Sequence, residues 1–201
     1  MKISLIGGKR PKTAPGFSLM EMLIVVTLFS LSMLIVAQTF TSFNQLHRKI
    51  ANRAIVSQDL RFAMELLVRA ARNRPISYAT TPAPRSSVLY LMQASGVEMQ
   101  FKRSVVGEAL CADLPTVACL LLSTDGGTTW VPITGKRINV EQFDVYVRPD
   151  VSPFELSGGA YPNDTQPFVT FNIRMRYMAE RVKEQETLQS QTTVSSRVYF
   201  R

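Results

Sequence analysis

The sequence predicts an α+β fold in which one long amino-terminal helix packs on a carboxy-terminal antiparallel β-sheet. Neither glycine nor proline occurs from Phe17 through Arg74, so one continuous helix is possible there. The apolar residues in the second half of this segment recur at helical spacing, whereas many of those after Pro75 recur at every second residue. Since the helix precedes the strands, the pattern indicates the α+β class.

A short basic leader precedes an apolar run of 21 residues, Phe17 to Ala37, in which Glu21 is the only charge. A helix of about 20 apolar residues spans the hydrocarbon core of a bilayer. Basic residues before such a run favour a cytoplasmic leader and a carboxy-terminal body outside the cytoplasm. The leader has no acidic residue, and its cationic residues are Lys2, Lys9, Arg10 and Lys12.

The position of Gly16 distinguishes this pattern from an ordinary secretory signal. A secretory signal places its small-residue cleavage site after a shorter apolar stretch, whereas Gly16 comes before the apolar run. Cleavage after Gly16 would leave the membrane helix on the mature protein and make Phe17 its first residue.

The junction GFSLME, from Gly16 to Glu21, resembles the type III signal of prepilins, the precursors of type IV pilins. In that family a dedicated peptidase cuts after the glycine and methylates the new amino terminus, and a glutamate occupies the fifth mature position, as Glu21 does here. The segments SQDLRFAMELLVRAAR and LQSQTTVSSRVYF further resemble minor pilins and the J-type pseudopilins of type II secretion. Gln38 lies near the place where many major pilins carry a proline, which favours a minor subunit.

This resemblance implies a structural subunit of a type IV pilus or type II secretion filament, and not an enzyme. It implies processing at Gly16 and Phe17, and assembly through pairing of Glu21 with the free amine of Phe17 on a neighbouring subunit. The implied partners are the prepilin peptidase, other pilins or pseudopilins, and an inner-membrane assembly platform with its motor ATPase. The implied location is a single pass of the inner membrane, followed by a periplasmic or cell-surface filament. No cofactor is expected.

Two other functions remain open on the same residues. The first is an adhesive or DNA-uptake pilin whose sheet contacts a ligand directly, and the second is a lone membrane-anchored binding domain outside any filament. Nucleic-acid binding is not indicated by charge alone, because the formal net charge falls from +8 to +4 without the leader and the arginines are scattered.

The predicted helix divides into two halves with different surroundings. Its second half carries an apolar stripe at i, i+3, i+4 and i+7 spacing that should pack on a sheet. The predicted segments are a leader 1–16, a transmembrane half 17–38, an extracytoplasmic half 39–74 and a sheet domain 75–201. The stripe consists of Leu60, Ala63, Met64, Leu67, Ala70 and Ala71.

A polar break from Thr39 to Arg53 marks where the helix should leave the lipid. Arg48 and Lys49 lie in this break. A solvated face next to the membrane is one interpretation of them, and contact with acidic headgroups or a partner is the other.

Period-two patterns predict the strands. Residues 76–87 contain prolines and predict a loop, after which 97–102 and 169–177 each alternate apolar and polar residues, as half-buried antiparallel strands do. The alternation changes phase within Ile138 to Val147, which predicts a β-bulge near Glu141 or Gln142. A last strand, after a polar turn at 180–186, is predicted from Val194, Val198 and Phe200.

Cys111 and Cys119 are the only cysteines, and they lie eight positions apart. An even pair at this spacing suits a disulfide that closes a small loop outside the cytoplasm, and two buried free thiols are the alternative. A zinc site lacks ligands, because the chain has no second cysteine cluster and His47 is its single histidine.

The segment Ser123 to Trp130 matches SxDxGxTW, the Asp-box pattern that recurs in sialidase propellers. It occurs once here, and the chain shows no internal repeat of about 40 to 50 residues, as propeller blades require. The pattern therefore predicts only a hairpin. In it the glycines permit a left-handed turn, Asp125 accepts hydrogen bonds from nearby backbone amides, and Trp130 packs at the base.

Asp150, Glu155 and Asp164 fall in a loop rich in proline and glycine. An exposed acidic loop is one interpretation, and calcium binding through their oxygens is the other, so no metal ligand is assigned. GxGxxG and GxxxxGK patterns are absent, and no arranged set of catalytic residues is apparent. The sequence therefore predicts neither a nucleotide site nor a catalytic one.

Processing between Gly16 and Phe17 can be tested by intact-mass analysis of the membrane form. We expect a mature chain that begins at Phe17 and carries one added methyl group on its amine. A chain that retains Met1 in cells with an active prepilin peptidase would contradict this prediction.

Overall fold

The structure, a computed structural model, describes residues 16–81, 84–111, 115–153 and 165–197. Helix α1 begins at Leu19 and ends at Asn73. Its 55 residues are unbroken because no proline removes a backbone donor and no glycine loosens the chain. Arg74 lies outside the helix because the next residue, Pro75, disfavours helical geometry in its predecessor. The predicted continuous helix is confirmed.

Eight strands follow α1 within the described residues and form two antiparallel sheets of four strands each. The first sheet has the order β2-β3-β4-β5, and the second has the order β1-β6-β7-β8. The predicted α+β class is confirmed. The strands are β1 (Arg85–Ser86), β2 (Val88–Met92), β3 (Glu98–Arg103), β4 (Leu120–Ser123), β5 (Val131–Pro132), β6 (Ile138–Arg148), β7 (Phe168–Tyr177) and β8 (Thr187–Ser195).

The core lies between the second half of α1 and the inner faces of both sheets. All six residues of the predicted stripe are buried, and Val56 extends the stripe by one turn. Leu67, Phe101 of the first sheet and Phe171 of the second are inaccessible and belong to one cluster. Burying each such side chain stabilises the fold by about 1.5 to 3 kcal/mol.

The second sheet confirms the alternation and the bulge that the sequence predicts. In β7, the side chains that face the core are Val169, Phe171, Ile173, Met175 and Tyr177. The register of β6 against β7 shifts between Val140 and Gln142. The bulge lets the apolar side chains on either side of it reach the same core despite their opposite parity.

The prediction of a loop over 76–87 is wrong at two places. Arg85 and Ser86 form β1, which pairs with β6, and Ile76 forms an isolated bridge with Leu91 of β2. Both pairings join distant parts of the chain, so a local composition rich in proline does not reveal them. Of the predicted last strand, β8 contains Val194, while Val198 and Phe200 lie outside the described residues.

Clustering of backbone contacts divides the chain between Asn44 and Gln45 into two compact units. The described part of the first unit is the apolar half of α1 with the three residues before it. The second unit holds the rest of α1 and both sheets. In this second unit the carboxy-terminal end of α1 is fixed by the sheets, because the Arg72 carbonyl accepts the N–H of Arg197 at 3.0 Å.

Candidate processing and assembly site

The candidate site begins where the chain enters α1. The Ser18 hydroxyl accepts the N–H of Glu21 at 3.2 Å, and the Ser18 carbonyl accepts the N–H of Met22 at 3.2 Å. Ser18 is therefore the helix cap, and its spacing to Glu21 is that of a capping box. Sequence reasoning missed this role, although a serine followed three residues later by glutamate is a local signal that could have revealed it.

Gly16 and Phe17 lie before the helix and are exposed. The Phe17 side chain is 75% exposed, and a Cβ added at Gly16 would meet no atom within 4 Å. Packing within the described chain therefore gives no reason for a glycine at this position. The peptide bond between the two residues lies outside the regular helix.

Glu21 occupies the first turn of α1 with its side chain exposed among apolar neighbours. No described residue forms an ion pair or hydrogen bond with its carboxylate. A carboxylate near the positive end of a helix dipole is stabilised by about 0.3 to 1 kcal/mol. Gly16, Phe17 and Glu21 thus lie close together at the start of α1. The charge of Glu21 has no partner among the described residues.

The first half of α1 presents apolar side chains on all sides. Every large apolar side chain from Phe17 to Ile50 is at least 51% exposed. Five hydroxyls of this segment donate to backbone carbonyls three or four residues earlier, at 2.8 or 2.9 Å; they belong to Thr27, Ser30, Ser32, Thr39 and Thr41. These internal bonds satisfy the hydroxyls without water.

By length and composition, α1 is the one helix among the described residues that could cross a membrane. The helical part of the apolar run, from Leu19 to Ala37, spans roughly 28 Å, against about 30 Å for the hydrocarbon core.

Arg48 and Lys49 contact acidic residues of this chain, which neither interpretation from the sequence considered. Lys49 Nζ lies 3.0 Å from Glu186 Oε1, and Arg48 Nη1 lies 3.8 Å from Glu184 Oε1. Asn52 donates from Nδ2 to the Glu184 carbonyl at 3.0 Å. The turn that connects β7 and β8 is therefore held against α1, while both cationic side chains remain more than half exposed.

A disulfide joins Cys111 and Cys119, whose Cα atoms lie 5.3 Å apart. The buried hydroxyl of Ser104 accepts the N–H of Cys119 at 2.9 Å, and the Ser104 N–H donates to the Cys119 carbonyl at 2.8 Å. Trp130 packs against this pair of cysteines. The Nζ of Lys102 lies 3.9 Å from the centre of the Trp130 ring, so a cation–π contact adds to the packing.

The Asp-box segment forms the predicted hairpin between β4 and β5. Gly126 and Gly127 have φ of +76° and +94°, which favours glycine. The Asp125 carboxylate accepts a bond from the Thr129 hydroxyl, then the N–H groups of Thr129 at 2.9 Å and Thr128 at 3.1 Å. These hydrogen bonds hold the pKa of Asp125 well below its usual range, and the bond from the Thr129 hydroxyl contributes most.

The two interpretations of the acidic loop, an exposed loop and a calcium site, both stay open. Asp150 forms a bidentate contact with Arg148 Nη1 at 2.6 and 2.7 Å. Glu155 and Asp164 lie outside the described residues. Within 16–81, 84–111, 115–153 and 165–197, no group of three or more potential metal ligands is found.

Comparison of the chain with protein-family models, with curated proteins and with solved structures finds no match. The architecture, a long amino-terminal apolar helix followed by antiparallel sheets, is consistent with that of pilins. Function is therefore argued from the residues of this chain.

The disulfide predicts that neither cysteine reacts with a maleimide in the folded protein without reductant. Both should react after denaturation and reduction, which is the control. Because closure of so small a loop restricts the unfolded chain, we expect the pair Cys111→Ser and Cys119→Ser to lower the free energy of unfolding by about 2 to 3 kcal/mol. Full labelling of both native thiols without reductant would contradict the disulfide.

The Asp125 turn predicts a pH-dependent contribution to stability, measurable by urea unfolding followed through the single tryptophan, Trp130. Because the folded pKa is depressed, the contribution is complete above the unfolded pKa of about 3.9 and is lost as the pH falls through the folded value. The difference in unfolding free energy between wild type and Asp125→Asn should therefore shrink from pH 6 to pH 2.

Thr124→Ala is the control, because it replaces an exposed neighbouring side chain and keeps the Asp125 carboxylate. Its free energy of unfolding should equal that of the wild type at each pH. A wild-type advantage over Asp125→Asn that is constant with pH would show that the carboxylate charge does not stabilise the turn.

Proposed function

We propose that the protein is a minor pilin or pseudopilin, a non-enzymatic subunit of a type IV pilus or type II secretion filament. It is cleaved by a prepilin peptidase and assembled through its amino-terminal helix. One observation carries the proposal: an exposed, non-helical junction of Gly16 and Phe17 directly precedes an apolar helix. The first turn of this helix holds the carboxylate of Glu21, which has no partner among the described residues.

The geometry of the junction supports processing. Because the helix begins at Leu19, a peptidase reaches the bond between Gly16 and Phe17 without unwinding α1. A side chain at Gly16 would clash with nothing in the described chain, so packing there does not account for the glycine, and the proposal assigns it to recognition by another protein. That protein is the peptidase.

The apolar half of α1 supports retention in the inner membrane after cleavage. Its length matches the hydrocarbon core, and five of its hydroxyls donate to its own backbone. The folded body, with its disulfide, then lies outside the cytoplasm, where such bonds persist. A cytoplasmic motor and its inner-membrane platform extract the chain into a periplasmic or cell-surface filament with other pilins.

Glu21 supplies the assembly contact. A carboxylate at the centre of a membrane costs about 2.5 to 3.5 kcal/mol on insertion scales. Glu21 lies in the first turn of α1, nearer the membrane surface, where the cost is lower and the helix dipole offsets part of it. The free amine that cleavage creates on Phe17 of a neighbouring subunit is a cation at a similar depth. Low dielectric strengthens the attraction between the two charges, so the pair fixes the register of insertion.

Replacing Glu21 tests this function. Glu21→Ala should leave cleavage after Gly16 and the fluorescence of Trp130 unchanged, because neither depends on the carboxylate. Recovery of partner pilins with the affinity-tagged chain from membranes should be abolished. Leu23→Ala, a change to an exposed apolar residue of the same segment, is the matched control and should retain the partners.

Partner recovery from Glu21→Ala membranes equal to that of the wild type would reject the pairing role. It would leave only the local contribution of Glu21 at the helix end.

A further inference from the structure

A polar cleft lies between the carboxy-terminal end of α1 and the turn that connects β2 to β3. Its volume is about 500 Å³, which is in the range of small-ligand sites. Both of its walls belong to the second compact unit. The residues that line it are Arg69, Asn73 and Arg74 on the helix side, and Gln93, Ala94 and Ser95 on the turn side.

Arg74 directly follows α1 and is half-buried. Its carbonyl accepts the Ser196 hydroxyl at 3.5 Å, but its guanidinium forms no hydrogen bond or ion pair with any residue that the structure describes. A guanidinium has five N–H donors and a permanent charge. Because partial burial already restricts this side chain, little of its freedom remains to be lost when an acceptor binds.

Arg69 adds a second guanidinium to the cleft. Its Nη2 lies 2.9 Å from Oε1 of Glu65, one turn earlier on α1 and outside the lining of the cleft. Both side chains of this pair are at least 70% exposed, so the pair contributes little to stability. Arg69 can therefore give up this contact for a ligand at small cost.

The turn side of the cleft supplies uncharged donors. The Gly96 N–H donates to the Gln93 carbonyl at 3.0 Å, which closes a four-residue turn with Ala94 and Ser95 at its centre. The N–H groups of these two central residues donate to no acceptor in the described part of the chain. Successive free N–H groups in a turn form a concavity that binds anions. The Ser95 hydroxyl is a further donor.

The two walls are fixed relative to each other. The Met92 N–H donates to the Pro75 carbonyl at 2.9 Å, and these two residues are the chain neighbours of Gln93 and Arg74 in the lining. Gln93 also donates from Nε2 to the Thr124 carbonyl at 2.7 Å, which ties the turn to the Asp-box hairpin. The site is thus preorganised, since its walls do not have to be ordered when a ligand binds.

The helix dipole alone does not account for this cleft. Cations near the carboxy-terminal end of a helix are stabilised by the dipole, which explains Arg72 in the last turn of α1. Arg72 is not among the lining residues, whereas Arg74 lies beyond the helix and lines the cleft opposite the free N–H groups of the turn.

The donor set distinguishes between kinds of anion. One arginine satisfies a planar carboxylate with two parallel hydrogen bonds. Here two guanidiniums lie on one wall and the donors of the turn on the other, which suits the several oxygens of a tetrahedral group. A phosphate monoester carries a charge of about −1.5 to −2 at pH 7. The printed lining has two arginines and no acidic residue, so its formal charge of +2 matches that group.

We propose that this cleft binds a phosphate monoester group. Arg74 and Arg69 hold its charge, and the N–H groups of Ala94 and Ser95 hold its remaining oxygens. The proposal does not rest on the pilin assignment. Either a small soluble molecule or a lipid headgroup can carry such a group.

Calorimetric titration of the full chain in nanodiscs of phosphatidylcholine measures the site. Glycerol 3-phosphate should bind, and glycerate, whose charge is a carboxylate, should bind at least tenfold more weakly. Arg74→Gln should weaken the binding of glycerol 3-phosphate at least tenfold, because it removes the charge that no described residue neutralises. Arg61→Gln removes an exposed arginine of α1 outside the cleft, so this matched control should bind as the wild type does.

Ala94→Pro tests the turn without a change of charge. Proline is favoured at the second position of such a turn, so the substitution keeps the turn and removes one free N–H. It should weaken the binding of glycerol 3-phosphate at least threefold. The fluorescence of Trp130 should equal that of the wild type in all three variants, which shows that the fold is kept.

The lipid composition of the discs separates the two sources of the group. With phosphatidic acid in the discs, a headgroup that occupies the cleft should weaken the binding of glycerol 3-phosphate at least tenfold. Discs with phosphatidylglycerol, an anionic diester, control for the charge of the bilayer. Equal binding in both kinds of disc assigns the site to a soluble molecule.

Three results would overturn the proposal. The first is no binding of glycerol 3-phosphate in excess to the chain in phosphatidylcholine discs, and the second is equal binding of glycerate. The third is a loss of affinity in Arg61→Gln as large as that in Arg74→Gln, because the overall charge of the helix would then explain binding.

The outcome is separable from that of the proposed function. Arg74→Gln should leave intact the partner recovery that Glu21→Ala abolishes. If Glu21→Ala retains its partners, the assembly role fails whatever the titration shows, and if glycerol 3-phosphate does not bind, the cleft proposal alone fails.

Discussion

The burial of one helical stripe, from Val56 to Ala71, against the inner faces of two sheets is the interaction on which the rest of the structure depends. Neither four-stranded sheet could keep its apolar face from water without this helix, and the second half of the helix has no other place to bury its stripe. Polar contacts at both ends fix the arrangement, through Lys49 with Glu186 and Arg72 with Arg197. The same helix continues without a break into the apolar half.

In the proposed assembly, charge pairing at Glu21 would depend on low dielectric. It would favour any neighbour with a free amine at the right depth, so it would set the register of insertion and be indifferent to the identity of the neighbour.

Features that depend on local spacing could be predicted from the sequence. The stripe on α1, the alternation of β7 and the bulge near Gln142 repeat over a few residues, and Gly16 with Glu21 forms a contiguous motif. Strand β1 could not be predicted, because it has two residues and exists only through pairing with a distant strand. The same holds for the contact of Lys49 with Glu186. The capping role of Ser18 also depends on local spacing, but it was not predicted, because the motif that contains Ser18 was interpreted for processing alone.

The central claim is that the apolar half of α1 passes from lipid into contact with the helices of other subunits. A photo-reactive residue in place of Phe29, which is exposed in the middle of that half, reports on its surroundings directly. With an active assembly motor, the account predicts adducts with the apolar helices of pilin-like subunits, and with the motor inactive it predicts mainly lipid adducts. Lipid adducts alone under both conditions would contradict the account.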